Sequence, residues 1–378
     1  YSKMQEVMKA IIWKYSNHTF FGFSCIAICI IIFLVGLWPL SFHPKNEVEW
    51  LQDSNGISFY GRGIAYTESF NVKSSFSDDN QVTFEILLEP LSETKLNAPY
   101  LLSFYDGKET EIITFRQWKS DLEIFRNRVT DENKLSPNSR IGIRNALLSG
   151  QKRLITVSSE KKGTKIYFNG EIAWFYPGFS LIRSREITGH LILGNSPTGK
   201  NSWKGNIFGL AIYNRALKEN EISQNYQAWL KYNSPLEDQS LALLFSFDEH
   251  SGTLAHDYAS ARHLLIPKTF QMLHKTALAS PLKDFRPGVS FFTDIFVNIL
   301  GFIPLGFFLP VFLYQSERLS KNRIYLVTLI LAGGISLAIE LIQVYLPTRH
   351  SSLTDLISNV FGTILGLVLF RLIYRTLP

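Results

Sequence analysis

Cysteine is almost absent from this chain. The two that occur, Cys25 and Cys29, lie in one apolar stretch, so no disulfide frames the rest of the sequence and thiol chemistry says nothing of its compartment. One helical turn apart, they share a face. A redox or lipidation site would use such a pair, but two small apolar residues in a lipid-facing helix is the simpler reading. Charge is missing from Phe20 to Leu40. About 20 uncharged apolar residues suffice to cross roughly 30 Å of hydrocarbon. A small-residue cleavage site is also missing, since Gly36-Leu37-Trp38-Pro39 suits a signal peptidase poorly, and the stretch reads as a retained anchor. The sequence opens on Tyr1, so the initiating Met is expected to be missing. Between Ser41 and Arg286 no α-crossover pattern recurs, which argues against a parallel sheet. Nor do paired carboxylates stand there at a spacing that marks a glycosidase.

Three further apolar stretches crowd the C-terminal quarter, at about Phe291–Tyr314, Ile324–Leu346 and Leu353–Tyr374. The net charge of +6 would suit nucleic acid, but much of the excess flanks these stretches, so membrane flanks explain it and no nucleic-acid partner is expected. Lys3, Lys9 and Lys14 precede the first span, which places the N-terminus in the cytoplasm by the positive-inside rule. The loop with Arg318, Lys321 and Arg323 and the end with Arg371 and Arg375 then also face inward. Arg349-His350 falls outside, against the rule, and asks for a local partner.

The middle of the chain alternates in short runs broken by turn residues. Strands are expected at Gln81–Leu88, Leu154–Val157, Lys165–Gly170, His190–Asn195 and Ile207–Tyr213, and a helix at Arg215–Tyr226. Asn169-Gly170 is a strong hairpin signal. Many strands without helical crossovers favour a two-sheet sandwich. The runs Ile166-Tyr-Phe-Asn-Gly-Glu171, Leu191-Ile-Leu-Gly-Asn195, Trp203-Lys-Gly-Asn-Ile207 and Ile212-Tyr-Asn-Arg-Ala-Leu217 with Glu221-Ile222 resemble the concanavalin A-like, laminin-G-like jelly-roll family. Leu243–Gly252 resembles that family's opening strand, displaced to the end, and is expected to add a strand. The resemblance implies binding of carbohydrate or protein, and of calcium in some members. Trp118, Trp174, Tyr176 and Trp203 are the candidates for stacking on sugar rings, with core or rim placement as the plainer alternative. Asp78-Asp79 would offer oxygen ligands to calcium; a solvated turn is simpler, and no metal or cofactor is expected.

Polar side chains inside the spans are ordered. Asp294 and Asn298 lie one turn apart near the outer start of the second span. Glu340 and Gln343 are three residues apart near the outer end of the third, with Glu340 roughly 9 Å deep. Asp355, Asn359, Gly362 and Gly366 form one stripe on the fourth, whose glycines would admit a neighbouring helix. Such groups in a membrane face a bundle interior or water. They either glue the bundle or line a polar pocket at the outer leaflet, with Arg349 as counter-charge. Asp294…Asn298-Ile-Leu-Gly-Phe-Ile-Pro-Leu-Gly306, Glu340-Leu-Ile-Gln343, Arg349 and Asp355-Leu-Ile-Ser-Asn359-Val-Phe-Gly362 resemble the VanZ-like family. That resemblance implies a cell-envelope membrane module, tied in some members to glycopeptide-antibiotic resistance, and names no reaction.

The expected organisation is a cytoplasmic segment 1–19, a transmembrane helix 20–40, an extracytoplasmic all-β jelly-roll sandwich 41–286, and a three-helix α-helical transmembrane bundle 287–378. The expected protein is a bacterial inner-membrane, cell-envelope protein with both termini cytoplasmic. Its partners are membrane lipids, with an envelope glycan or another membrane protein complex. One rival is an accessory subunit of a larger assembly. The other is an enzyme on a lipid-linked or wall substrate, with Glu340 or Asp355 as acid or base.

Overall fold

The computed structural model describes residues 2–71, 81–93, 98–108, 110–129, 140–182, 188–281, 288–316 and 318–374. The expected calcium pair Asp78-Asp79 and the basic Arg375 lie outside the described residues. The chain divides into two compact units, His43–His274 and Tyr1–Phe42 with Lys275–Pro378.

The first unit is a sandwich of two antiparallel sheets. One sheet has the order Val48–Trp50, Ile57–Phe59, Gly205–Tyr213, Val82–Pro90, Arg153–Glu160, Gly163–Phe168, Glu171–Pro177, with Leu241–Phe245 also paired to Gly205–Tyr213. The other runs Leu254–His256, His263–Leu265, Ala65–Thr67, Thr188–Leu193, Tyr100–Tyr105, Thr110–Trp118, Asp121–Val129, Arg140–Ile143. The expected hairpin forms: Phe168 pairs Glu171, and Asn169 (φ 52) and Gly170 (φ 84) take the two left-handed positions of a primed turn. The displaced strand is Leu241–Phe245. The long hairpin of Thr110–Trp118 with Asp121–Val129 was not expected from the sequence.

The pleat sends alternate residues of each strand to opposite faces. Along Val82–Pro90, Val82, Phe84, Ile86 and Leu88 enter the core between the sheets. Leu87 joins a second core under helix Glu219–Tyr232. That helix begins later than expected because Arg215–Leu217 is held to the sheet outside the helix: Thr83 Oγ1 donates to Arg215 O and accepts from Leu217 N–H. Arg215 then forks onto Glu221 at 2.8 and 3.0 Å and also reaches Asp238. Pairing with Arg215 holds the Glu221 carboxyl below the usual range. The Asn-Arg-Ala-Leu run thus fastens the helix to the sheet.

In chain order the helices are α1 (Ser2–Leu37), α2 (Glu219–Tyr232), α3 (Val289–Gln315), α4 (Lys321–Gln343) and α5 (Leu353–Tyr374). His18–Leu37, Phe291–Gln315, Lys321–Gln343 and Leu353–Ile373 are long and apolar enough to cross a membrane. Phe23, Ile31, Ile330 and Leu372 are exposed, as lipid-facing positions should be. The second unit packs most closely along α3 and α5. A Cβ on Gly362 or Gly366 would overlap the carbonyl oxygens of Ile299 and Ile303, and one on Gly306 that of Thr363. The glycine stripe therefore does meet a neighbouring helix, and the neighbour is α3.

Glu85 lies under α2, fully buried, and receives bonds from Trp229 Nε1 (3.0 Å), Asn225 Nδ2 (3.2 Å) and Tyr213 Oη (3.2 Å). Burial pushes its carboxyl from 4.5 up to about 7, against those donors. The folded state holds this proton more tightly than the unfolded chain. Its contribution is therefore fully present below 4.5 and is lost as pH rises through about 7. The melting temperature of the sandwich is expected to fall by roughly 5–10 °C between pH 5 and pH 8. Glu85→Gln should flatten that slope, whatever it does to the absolute value, and an unchanged slope in thermal melts would count against this role.

Candidate functional site

The candidate residues of the bundle form two groups. The first lies between α4 and α5. The buried face of α4 carries Thr328, Ala332, Ser336, Glu340 and Gln343, mostly small or polar residues one turn apart. Asn359 Nδ2 on α5 donates to Ser336 Oγ at 2.9 Å. One turn further along α4, Glu340 accepts the Ser352 N–H at 2.7 Å where α5 begins. The helices run antiparallel, so Asp355, four residues before Asn359, lies level with Glu340. Glu340 is 1% exposed and Asp355 is half-buried. Glu340 lies three residues before the end of α4 at Gln343, about 4.5 Å along the helix axis.

Ser351 and Ser352 close this group from the loop side. Ala279 N–H donates to Ser351 O and Leu353 N–H to Ala279 O, and Leu278 N–H donates to Ser351 Oγ. This short bridge ties the segment entering the bundle to the start of α5. Buried Asn359 Oδ1, Gln343 Oε1 and Thr354 Oγ1 have no hydrogen-bond partner among the described residues. Such orphaned acceptors suit a water or a polar ligand.

The second group gathers at the end of α1. Gln343 Nε2 donates to Gly36 O at 2.8 Å. Arg349 donates through Nε to Trp38 O at 2.6 Å and through an Nη to Val35 O at 3.0 Å. These are carbonyls at the end of a helix, where no intrahelical donors remain and the dipole favours a cation. Arg349 was expected as counter-charge to the acidic residues of the spans; among the described residues its bonds go to these carbonyls instead. Arg349 itself is exposed. Asp294 is exposed and Asn298 half-buried on α3; among the described residues no hydrogen bond joins them to either group.

Ser336, Ser351 and Ser352 were not anticipated. Ser336 was readable, since it stands four residues before Glu340 and extends the same face.

On the sandwich, Trp203 is fully buried and donates through Nε1 to Gln117 Oε1 at 2.8 Å. A ring with no exposed face cannot stack on a sugar, so this candidate is a core residue. Trp118 ends a strand of the second sheet and is half-exposed. Trp174 and Tyr176 share the edge strand Glu171–Pro177 of the first sheet, with ring centroids 6.4 Å apart. Trp174 is 57% exposed. Tyr176 is half-buried, and its hydroxyl donates to Gly142 O across to the other sheet. Ile172 and Phe175 beside them are also exposed. Among the described residues no cluster of three or more His, Cys, Asp or Glu could hold a metal.

Residues 240–374 match the VanZ/LLP1 family. Residues 65–223 match the concanavalin A-like lectin/glucanases superfamily. No curated protein shows significant similarity to the chain. Among solved structures, the chain is similar to a Bacteroides ovatus protein described as carbohydrate binding (14% identity, 56% of this chain and 58% of that one, TM-score 0.39). It is also similar to Trypanosoma rangeli sialidase (12% identity, 49% and 29% covered, TM-score 0.37). A third is a heptameric SAP-like pentraxin from Limulus polyphemus (13% identity, 57% and 97% covered, TM-score 0.36). The chain thus spans little over half of the first and under a third of the second. It is a membrane protein that joins a lectin-like β-sandwich to a VanZ-like segment.

If Arg349 caps α1, Arg349→Ala should cost about 1 kcal/mol of bundle stability. Glu340→Gln, which keeps an acceptor for Ser352 N–H, should cost less. Detergent-titrated unfolding of the two variants measures this, and an Arg349→Ala protein as stable as the parent would discard the cap.

Proposed function

We propose that this chain is a bacterial cell-envelope protein of the cytoplasmic membrane, with the sandwich outside and both termini inside. The sandwich binds an envelope glycan, and the polar group between α4 and α5 serves at the outer leaflet. The observation that carries the glycan reading is Trp174: a large aromatic 57% exposed beside Tyr176 on an edge strand, in a domain whose Trp203 and Trp229 are fully buried. Leaving an indole in water forgoes about 2–3 kcal/mol of burial, and its flat face suits the C–H face of a pyranose. Exposed Ile172 and Phe175 on the same strand favour the second reading, a protein partner in a larger membrane complex.

The orientation rests on Lys3, Lys9 and Lys14 before the first span and on Arg318, Lys321 and Arg323 between the second and third. Lys161 and Lys162 occupy an exposed turn of the sandwich. Trypsin added to intact spheroplasts is expected to cut there. Cleavage only after the membrane is breached would invert the topology.

The full-length protein in detergent, tested on an array of bacterial envelope glycans, should bind at least one. Trp174→Ala should lower that affinity by about tenfold, which is roughly 1.4 kcal/mol. Loss of a co-purifying membrane protein on the same substitution, with glycan binding absent, would favour the docking reading instead.

A further inference from the structure

The sandwich carries a second concave site, away from the Trp174 edge. Where α2 ends, Asn233 leaves the helix in the left-handed conformation (φ 53). The chain then runs around a cleft of about 890 Å³ that also reaches Leu244, Asp248 and Tyr258. Its size falls within the span typical of small-ligand sites, roughly 300–1,000 Å³.

Two tyrosines line it with their rings in water, Tyr232 60% and Tyr258 57% exposed. Tyr258 is held in place, because its hydroxyl donates to the Asp248 carboxylate, 2.9 Å from each oxygen. Tyr232 already attracts a cation: Lys231 Nζ lies 4.9 Å from its ring centroid. Lys231 is not part of the cleft wall.

The rest of the wall is polar and of one sign. Glu237, Asp238 and Asp248 line it, with the amides of Asn55 and Gln239, and among the described residues no Lys, Arg or His does. Asp238 is paired with Arg215, which leaves Glu237 and Asp248 to meet a ligand. In a chain of net charge +6 this is a local reversal of sign. It repels phosphate and carboxylate ligands and favours amines. Aromatic faces take the C–H face of a sugar ring, and amide and carboxylate groups take its hydroxyls in pairs.

We propose that this cleft binds a saccharide bearing free amino groups, its ring on Tyr232 or Tyr258 and its ammonium on Asp248 and Glu237. The site shares no residue with the Trp174 edge, so the two readings stand or fall separately.

The test is calorimetric titration of the full-length protein in detergent with glucosamine oligomers, N-acetylated oligomers of equal length, and oligolysine. Glucosamine oligomers should bind at least about tenfold more tightly than the other two, and high salt should weaken them. Asp248→Asn, which still accepts the Tyr258 hydroxyl, and Tyr232→Ala, on an exposed helix end, should each weaken binding about tenfold at unchanged melting temperature. Trp174→Ala should leave it alone. Four results would overturn the proposal. They are no binding of glucosamine oligomers by folded protein, binding indifferent to both cleft substitutions, equal binding of N-acetylated oligomers, and equal binding of oligolysine. The last would make the cleft a basic-peptide site.

Discussion

The membrane half of this chain depends on atoms that are missing. At Gly306, Gly362 and Gly366 the backbones of α3 and α5 approach so closely that any Cβ would overlap a carbonyl oxygen of the partner helix. Lipid tails are as apolar as leucine, so helices in a bilayer gain little from hiding apolar surface and associate through close packing and polar bonds. The glycine contact supplies the packing and fixes the level of α5 against α3. The same stripe of α5 carries Asn359, which donates to Ser336 on α4. The serine bridge of Ala279 with Ser351 and Leu353 then sets where α5 begins, and so brings the Ser352 N–H to Glu340.

Both halves bury a carboxyl: Glu85 is surrounded by donors on residues distant in sequence, and Glu340 accepts the Ser352 N–H from the start of the next helix. Glu85 takes Trp229, Asn225 and Tyr213, and the strand and helix that supply them are the parts most recognisable in the sequence. The Ile-Tyr-Asn-Arg-Ala-Leu run places Tyr213 on Glu85 and Arg215 on Glu221 in consecutive turns of chain, which is why so short a segment marks the fold. Glu340 was legible for a different reason: a carboxyl in an apolar stretch is conspicuous because leaving it unpartnered in hydrocarbon costs several kcal/mol.

Where residues carried a local signal, the fold was readable. Asn169-Gly170 demands left-handed backbone at two positions, and alternation marked the strands around it. The hairpin of Thr110–Trp118 and Asp121–Val129 escaped notice because its charges are spent on each other. Arg116 pairs Glu123 at 2.7 Å and lies 4.1 Å over the Phe125 ring, so a segment that reads as solvated is largely covered. The aromatics show the other limit. Nothing near Trp203 or Trp174 distinguishes them in sequence. Trp203 is buried because Gln117, on the other sheet, offers its indole N–H an acceptor, while Trp174 lies on the last strand of its sheet.

Arg349 shows how a correct question can have an unexpected partner. A basic residue against the positive-inside tendency needs a local reason, and acidic neighbours in sequence supplied the obvious one. The structure supplies another, the unpaired carbonyls at the end of α1, which Arg349 and Gln343 take together. The VanZ/LLP1 match begins at residue 240 and so omits α1. Yet α1 provides acceptors to two of the residues by which that segment is recognised, packs Gly36 on Ile339, and sets His18 against Phe312. Without α1, Gln343 and Arg349 would need other acceptors at the membrane boundary. The N-terminal helix is therefore a fourth member of the bundle as well as an anchor, and the sandwich is inserted between two parts of one membrane unit.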